Sequence, residues 1–226
     1  MSFRPMQKEE IEAASRHLLL GHYRQFGPSG FLPIPVEEIL ESHLGLTLEF
    51  DDLRRRLGMD DVPGATWVND RRVVIDLSLD PTVDPRKEGR YRFTLAHELG
   101  HWELHRHDFE NGVARRGAFR QMIPPSIVCR TSTSKDPMEW QADLFASYLL
   151  MPTKMLFDVW SSIFDTSDAY DAEDEMAELL SRQNGQSGGG RPVVSVAKEM
   201  ARAFHVSGQA MQIRLLDVGL IRLSAN

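Results

Sequence analysis

The sequence predicts a mainly helical α+β fold with a small β-sheet and a C-terminal pair of helices. Two observations indicate this class. Helical spacing of apolar residues or helix-start and helix-stop residues mark most of the regular segments, and only three short segments, 46–50, 65–68 and 72–77, have the composition of strands. The chain has 226 residues, of which 42% are hydrophobic and 26% charged. These values suit one compact globular domain with a small appended subdomain.

In the first half of the chain, the sequence predicts two helices followed by three strands. Apolar spacing predicts an amphipathic helix over 7–24, which the Gly-Pro-Ser-Gly sequence at 27–30 ends. Pro35 suits the first turn of a second helix, which we expect to end near Gly45. The three predicted strands follow, and a polar turn at 69–70 joins the last two.

Two further helices are predicted in the centre of the chain. Asp84 and Pro85 supply an N-cap and a first-turn proline for a long helix that carries residues 97–101. The segment 108–134 is irregular, with glycine, proline and basic residues. Asp136 and the proline after it begin another helix, which Pro152 ends.

Composition divides the chain into a predicted main domain over 1–182, a flexible glycine-rich linker over 183–192 and a helical subdomain over 193–226, which we expect to pack on the main domain. Between Lys154 and Arg182 there are eight acidic residues and no basic ones, and removing this −8 from the net charge of −7 leaves about +1. We interpret the acidic part, about 165–182, as an insertion with a solvated face or a flexible one. The remaining charge predicts no direct nucleic-acid binding.

The sequence also bears on cellular location. No stretch reaches the roughly 18 apolar residues that a membrane helix needs, and the start of the chain lacks the apolar core of a secretion signal. Cys129 is the only cysteine, so an internal disulfide is impossible. We therefore expect a cytoplasmic chain with no membrane partner. For Cys129 itself, a buried structural thiol is favoured over a regulatory one.

The motif H-E-x-x-H at residues 97–101 carries the chemistry. On a helix, residues four apart lie on one face about 6 Å apart along the axis, so His97 and His101 can point at one ion. Zinc accepts imidazole nitrogens, and a catalytic zinc site keeps one position for water. Glu98 can take a proton from that water as the general base. The alternative is a surface helix with two spare histidines, which the position of the motif in a long predicted helix disfavours.

Two histidines leave one ligand missing, and two of the three candidates are also histidines. His107 sits where metzincins place a third histidine, but Leu104 stands where their chain needs a glycine to turn. His105 continues the helical stripe but lies about 6 Å further along the axis. Both are more plausible as helix C-terminal residues favoured by the helix dipole.

Glu139, on a separate predicted helix, is the favoured third ligand. Asp143 lies one turn later on the same face, and a carboxylate there can accept a hydrogen bond from the second nitrogen of a ligating histidine. The alternative for Glu139 is a capping box with Asp136. The neighbouring H-E-x-x-H helix favours the ligand role.

The wider pattern resembles the ImmA/IrrE family of bacterial metallopeptidases. The resemblance rests on RFTLAHELGH at 92–101, EWQADLFA at 139–146 and LLMP at 149–152, with further matches at 34–36, 44–46 and 204–221. It implies a small zincin-like domain in which helices pack around a short twisted sheet. It also implies that His97, His101 and Glu139 bind zinc and that Glu98 is the base.

The resemblance further implies a protein substrate, a helix-turn-helix transcriptional repressor that is cleaved to switch on stress-response or mobile-element genes. The leading hypothesis is therefore a zinc-dependent endopeptidase. One alternative is a non-proteolytic zinc-containing regulator that binds a repressor or DNA, which an intact Glu98 disfavours because a structural site needs no base. A toxin–antitoxin component is another alternative.

Three features remain after this assignment. The helices predicted over 193–204 and 208–218 resemble a helix-turn-helix. The apolar residues of the second helix favour packing or repressor docking over the alternative, DNA binding. Tyr148 and Arg214 are candidates for stabilising the oxyanion, and their spacing selects neither. The segment 65–68 is expected to form the substrate-facing edge of the sheet, with 72–77 as an interior strand.

Overall fold

The computed structural model describes residues 4–27, 32–110, 125–128, 136–183 and 191–223. The chain forms two compact units, Met1–Leu150 and Met151–Asn226. The described residues are mainly helical, and the first unit contains a small mixed sheet, so the predicted α+β class is confirmed. None of the helices described is long and apolar enough to cross a membrane.

Four helices of the first unit begin close to where the sequence predicts, and a fifth, Leu53–Leu57, was not predicted. They are α1 (Lys8–Phe26), α2 (Val36–Glu38), α3 (Leu53–Leu57), α4 (Glu88–Glu110) and α5 (Pro137–Leu150), and a π-helical turn, Ile39–His43, continues α2. The carboxylate of Asp84 accepts the N–H of Arg86 in a short 3₁₀ turn just before α4. The carboxylate of Asp136 accepts the N–H of Met138 at 2.8 Å. These side chains satisfy N–H groups that a helix start leaves without backbone partners.

The sheet of the first unit has four strands among the described residues. These are β1 (Thr47–Asp51), β2 (Gly64–Trp67), β3 (Arg72–Asp76) and β4 (Ile127–Val128), in the order β1-β3-β2-β4. β1 and β3 are parallel, and β2 is antiparallel to both β3 and β4. The centre of β3, Val73 to Ile75, is fully buried, which confirms the prediction of an interior strand.

β2 is not the edge of the sheet, so the prediction of a substrate-facing edge at 65–68 is wrong. β2 pairs with β3 on one side and with β4 on the other, where Ala65 and Thr66 lie opposite Val128 and Ile127. Ser126 extends the contact, since its N–H donates to the carbonyl of Thr66 at 2.9 Å. The error arises because the glycine, proline and basic residues of 108–134 predicted an irregular segment, whereas part of it forms a strand.

A close contact between α4 and α5 sets the position of the two helices that carry the candidate ligands. A β-carbon added to Gly100 would lie 3.0 Å from the Cα of Ala142 and 3.1 Å from its carbonyl oxygen. Only glycine therefore permits this separation of the backbones without a shift. Buried apolar side chains flank the contact, including Leu95 and Leu99 of α4 and Phe145 of α5.

Within the residues that the structure describes, the second unit contains four helices and two short parallel strands. They are α6 (Thr153–Phe164), β5 (Tyr170–Asp171), α7 (Glu173–Gln183), α8 (Ser195–Phe204), α9 (Gly208–Asp217) and β6 (Ile221–Arg222). The acidic segment thus forms β5 and α7, and the side chains of Glu173, Asp174 and Glu178 on α7 are exposed. The sequence left open whether this segment has a solvated face or a flexible one. A helix with exposed acidic side chains agrees with the solvated face.

The predicted C-terminal helix pair is present as α8 and α9. His205 adopts the left-handed conformation that ends α8, and the hydroxyl of Ser207 accepts the N–H of Ala210 at the start of α9. Phe204 and Met211 are buried. The predicted domain boundary at 182 and the packing of 193–226 on a catalytic domain stay predictions, and residues 184–190 of the proposed linker lie outside the described residues.

Candidate metal centre

The side chains of His97 and His101 on α4 meet that of Glu139 on α5. The Nε2 atoms of the two histidines are 3.0 Å apart. The carboxylate oxygens of Glu139 lie 3.2 Å from Nε2 of His97 and 3.3 Å from Nε2 of His101. Among the described residues, these three form the one group of histidine, cysteine and acidic side chains close enough to hold a metal ion together.

The spacing of these three atoms suits a tetrahedral ion. Zinc–ligand bonds of about 2.0–2.1 Å in a tetrahedron put the ligand atoms roughly 3.3 Å apart. The distances of 3.0, 3.2 and 3.3 Å agree with that value. The alternative role of Glu139 as a capping residue is not adopted, because its carboxylate faces the histidines while Asp136 alone provides the cap.

Burial and hydrogen bonds together set the charge states of His101 and Glu139. Burial lowers the pKa of His101 to about 4, although Glu139 opposes this shift. Burial acts to raise the pKa of Glu139, but hydrogen bonds with His101 and His97 outweigh it and hold that pKa well below its usual range. The centre therefore presents a neutral imidazole from His101 and an ionised carboxylate, the forms that bind metal.

Glu98, the predicted general base, is fully buried between α4 and β2. Its Oε2 accepts a hydrogen bond from the hydroxyl of Thr66 at 2.6 Å. Its Oε1 has no hydrogen-bond partner among the residues that the structure describes. A β-carbon on Gly64 would come within 2.6 Å of that oxygen, so glycine lets the strand approach the carboxyl group.

The environment of Glu98 raises the pKa of its carboxyl group toward neutral pH. Burial raises its pKa to about 7 and the negative charge of Glu139 adds to the rise, while His97 and the Thr66 hydroxyl oppose it. A general base works best when its pKa lies near the operating pH. This carboxyl group is therefore suited to accept a proton and to return it within one reaction cycle.

The second ring nitrogen of each histidine also has a partner. Nδ1 of His97 lies 2.8 Å from Oδ1 of Asp143, the geometry that the sequence predicts for a supporting carboxylate. Nδ1 of His101 lies 3.0 Å from Nδ1 of His105, and Nε2 of His105 lies 3.0 Å from Oε1 of Gln141.

Sequence reasoning missed the contacts of Thr66, His105 and Gln141. The i, i+4 spacing of His105 from His101 was the available signal, but it was interpreted only as a possible ligand position. Thr66 lies 32 positions from Glu98, and no local pattern joins them.

The remaining candidates lie elsewhere. His107 is exposed and outside the group that could hold a metal. Tyr148 is buried. Arg214 is buried in the second unit, where its guanidinium donates to the carbonyl of Met151 and the hydroxyl of Thr153. Cys129 lies outside the described residues.

The chain was compared with curated proteins and with solved structures. No curated protein matches the chain. A solved structure described as a Mycobacterium tuberculosis transcriptional regulator is similar at 15% sequence identity with a TM-score of 0.41, over 92% of this chain and 50% of that one. The chain therefore spans half the length of that structure.

A family model described as the IrrE N-terminal-like domain, Peptidase_M78, matches residues 83–216. This range includes the H-E-x-x-H motif and Glu139, and it is more than half of the 226 residues. The resemblance found in the sequence is thereby confirmed, and the chain belongs to the Peptidase_M78 family of IrrE N-terminal-like domains.

Proposed function

We propose that this chain is a zinc-dependent endopeptidase that hydrolyses peptide bonds of a protein substrate. The observation that carries the proposal is the meeting of His97, His101 and Glu139 at tetrahedral spacing beside the buried carboxyl group of Glu98. Membership of a peptidase family supports the same chemistry. A purely structural metal site would have no use for an adjacent buried base.

The donor set fits zinc. Two imidazole nitrogens and one carboxylate oxygen are ligands that catalytic zinc takes, with the fourth position left to water or substrate. Asp143 beside His97 supplies the supporting carboxylate that commonly orients a ligating histidine. We therefore assign His97, His101 and Glu139 as the zinc ligands.

In this proposal Glu98 moves the protons. A bound zinc ion supplies positive charge that lowers the pKa of water and polarises the carbonyl to be cleaved. Thr66 holds Oε2 of Glu98, which leaves Oε1 to accept a proton from the attacking water. With a pKa raised to about 7, the same carboxyl group can then give the proton to the departing amine.

For the substrate, we propose a helix-turn-helix transcriptional repressor in the cytoplasm, whose cleavage releases stress-response or mobile-element genes. Support for this class comes from the resemblance of residues 92–101 and 139–152 to the ImmA/IrrE pattern. The sequence adds that the charge outside the acidic segment is close to zero, which favours a protein substrate over nucleic acid.

The test is incubation of the purified chain with the helix-turn-helix protein encoded beside its gene. Wild type should cleave that protein into discrete fragments, and the Glu98→Gln variant should leave it intact while its zinc content is unchanged. Binding of the repressor without cleavage by the zinc-loaded wild type would contradict the proposal. That result would instead favour the non-proteolytic regulator.

A further inference from the structure

Three hydrogen bonds lead from the candidate metal centre to the N-terminal segment of the chain. The first two join His101 to His105, and His105 to Oε1 of Gln141, each at 3.0 Å. In the third, Nε2 of Gln141 donates to the carbonyl oxygen of Arg4 at 3.2 Å. The side chains of His101, His105 and Gln141 are all buried, so water does not compete for the two bonds that join them, whereas the third bond, to exposed Arg4, is part-buried.

The backbone carbonyl of Arg4 determines which atom donates and which accepts in each of the three hydrogen bonds. A carbonyl only accepts, so the amide nitrogen of Gln141 faces Arg4 and its oxygen faces His105. That oxygen also only accepts, so Nε2 of His105 carries the proton. In the neutral ring of His105, Nδ1 is then an acceptor. Nδ1 of His101 must therefore carry the proton that is donated to it. Nε2 of His101 is left with a lone pair directed toward Glu139 and His97.

We propose that His105 and Gln141 are positioning residues that hold His101 as the tautomer that binds metal through Nε2. The inference rests on the proposed zinc site. In this arrangement the two histidine ligands differ in the kind of hydrogen-bond partner that their Nδ1 atoms have. The partner of His97 is Asp143, a carboxylate with 55% of its side chain exposed, whereas the partner of His101 is a buried neutral relay.

A role in packing alone is the competing explanation for His105, because its ring also fills buried space. Two amide substitutions separate the explanations. The carbonyl oxygen of the side chain in His105→Asn reaches the place of Nδ1 and can still accept from His101. The longer side chain in His105→Gln fills more of the volume of the ring, but its amide reaches the place of Nε2 and leaves Nδ1 of His101 without its acceptor.

The experiment measures zinc affinity of the full chain by competition with a chromophoric chelator, with circular dichroism to check the fold. We expect His105→Gln to lose roughly 10–100-fold in affinity, as for other lost partners of metal-ligating histidines. His105→Asn should retain most of the affinity. Equal losses in the two variants, a larger loss in His105→Asn, or wild-type affinity in His105→Gln would each overturn the relay.

Nitrogen-15 NMR of the zinc-loaded wild type gives an independent readout that does not depend on hydrolysis. We expect the ring of His105 to carry its proton on Nε2 and to have an unprotonated Nδ1. A proton on Nδ1 of His105 would overturn the proposed direction. A wild-type chain that binds no zinc would overturn the proposed function and this inference together, whereas a wrong tautomer in a zinc-loaded protein would overturn the relay alone.

Discussion

At the scale of single residues, the candidate centre combines groups whose charge states depend on one another. Glu139 stays ionised because both histidines contact its oxygens, whereas burial raises the pKa of Glu98 to about 7 against the opposing effect of His97. Two carboxyl groups in one site thus have widely separated pKa values. Such a separation of pKa values is what distinguishes a ligand from a general base.

Asp143 provides the first test at this scale. Asp143→Asn keeps an oxygen that can accept from His97 but removes the negative charge. Because more than half of the aspartate side chain is exposed, solvent screens that charge, and we expect a loss of zinc affinity near the lower end of the roughly 10–100-fold range. Asp143→Ala, which removes the acceptor, should lose more in the same chelator titration. Full affinity in both variants would make Asp143 an ordinary helix residue.

Thr66 provides the second test. Its hydroxyl lowers the pKa of Glu98, so Thr66→Val should let that pKa rise further. The base is active only when deprotonated, and the acidic limb of the pH–rate profile should therefore move to higher pH. Thr66→Ser keeps the hydroxyl and serves as the matched control. An unmoved acidic limb in Thr66→Val would show that the bond to Glu98 does not tune the reaction.

At the scale of elements, the separation of α4 and α5 decides whether the ligands meet. Gly100→Ala adds helix propensity worth up to about 1 kcal/mol. Its β-carbon, however, meets backbone atoms of Ala142 at 3.0 and 3.1 Å, which cannot give way as a flexible side chain would. Overpacking of this kind costs about 1–3 kcal/mol, so the net effect should be destabilising.

Displacement of α5 should also carry Glu139 away from the histidines. We therefore expect Gly100→Ala to lower both the midpoint of thermal unfolding and the zinc affinity. Measuring both in one variant separates the two effects. A protein with raised thermal stability and unchanged zinc affinity would show that α5 tolerates the added methyl group.

The elements also show what sequence patterns could predict. Helix starts at Asp84 and Asp136 were predictable because capping is local. The pairing of β4 with β2 was not predictable, because the segment that contains Ile127 and Val128 has no alternation of apolar and polar residues. A strand of two residues also depends on the partner strand with which it pairs.

The same division holds for the site. His97, Glu98 and His101 follow from spacing on one helix. Glu139 and Asp143 follow from spacing on a second helix only when the first is considered with it, since Glu139 alone would fit a capping box with Asp136. The contacts of Thr66 and Gln141 arise only when separate elements pack together, so no local pattern predicts them.

At the scale of the whole molecule, a bound metal would join two helices that are distant in sequence. A ligand that binds only the folded state at 100 times its dissociation constant adds about 2.7 kcal/mol to the free energy of unfolding. We expect saturating zinc to raise the midpoint of thermal unfolding of the wild-type chain and a chelator to lower it. Glu139→Ala should respond less to both. Identical melting curves with zinc and with chelator would contradict a metal that links α4 and α5.

The zinc content of the purified chain tests the central claim most directly. Atomic emission should find about one zinc per wild-type chain, and Glu139→Ala should retain zinc more weakly by at least the roughly 10–100-fold typical of a lost supporting partner. His107→Ala, which changes an exposed residue outside the candidate group, should retain zinc as wild type does. Full zinc content in Glu139→Ala together with loss in His107→Ala would contradict the account and move the third ligand to His107.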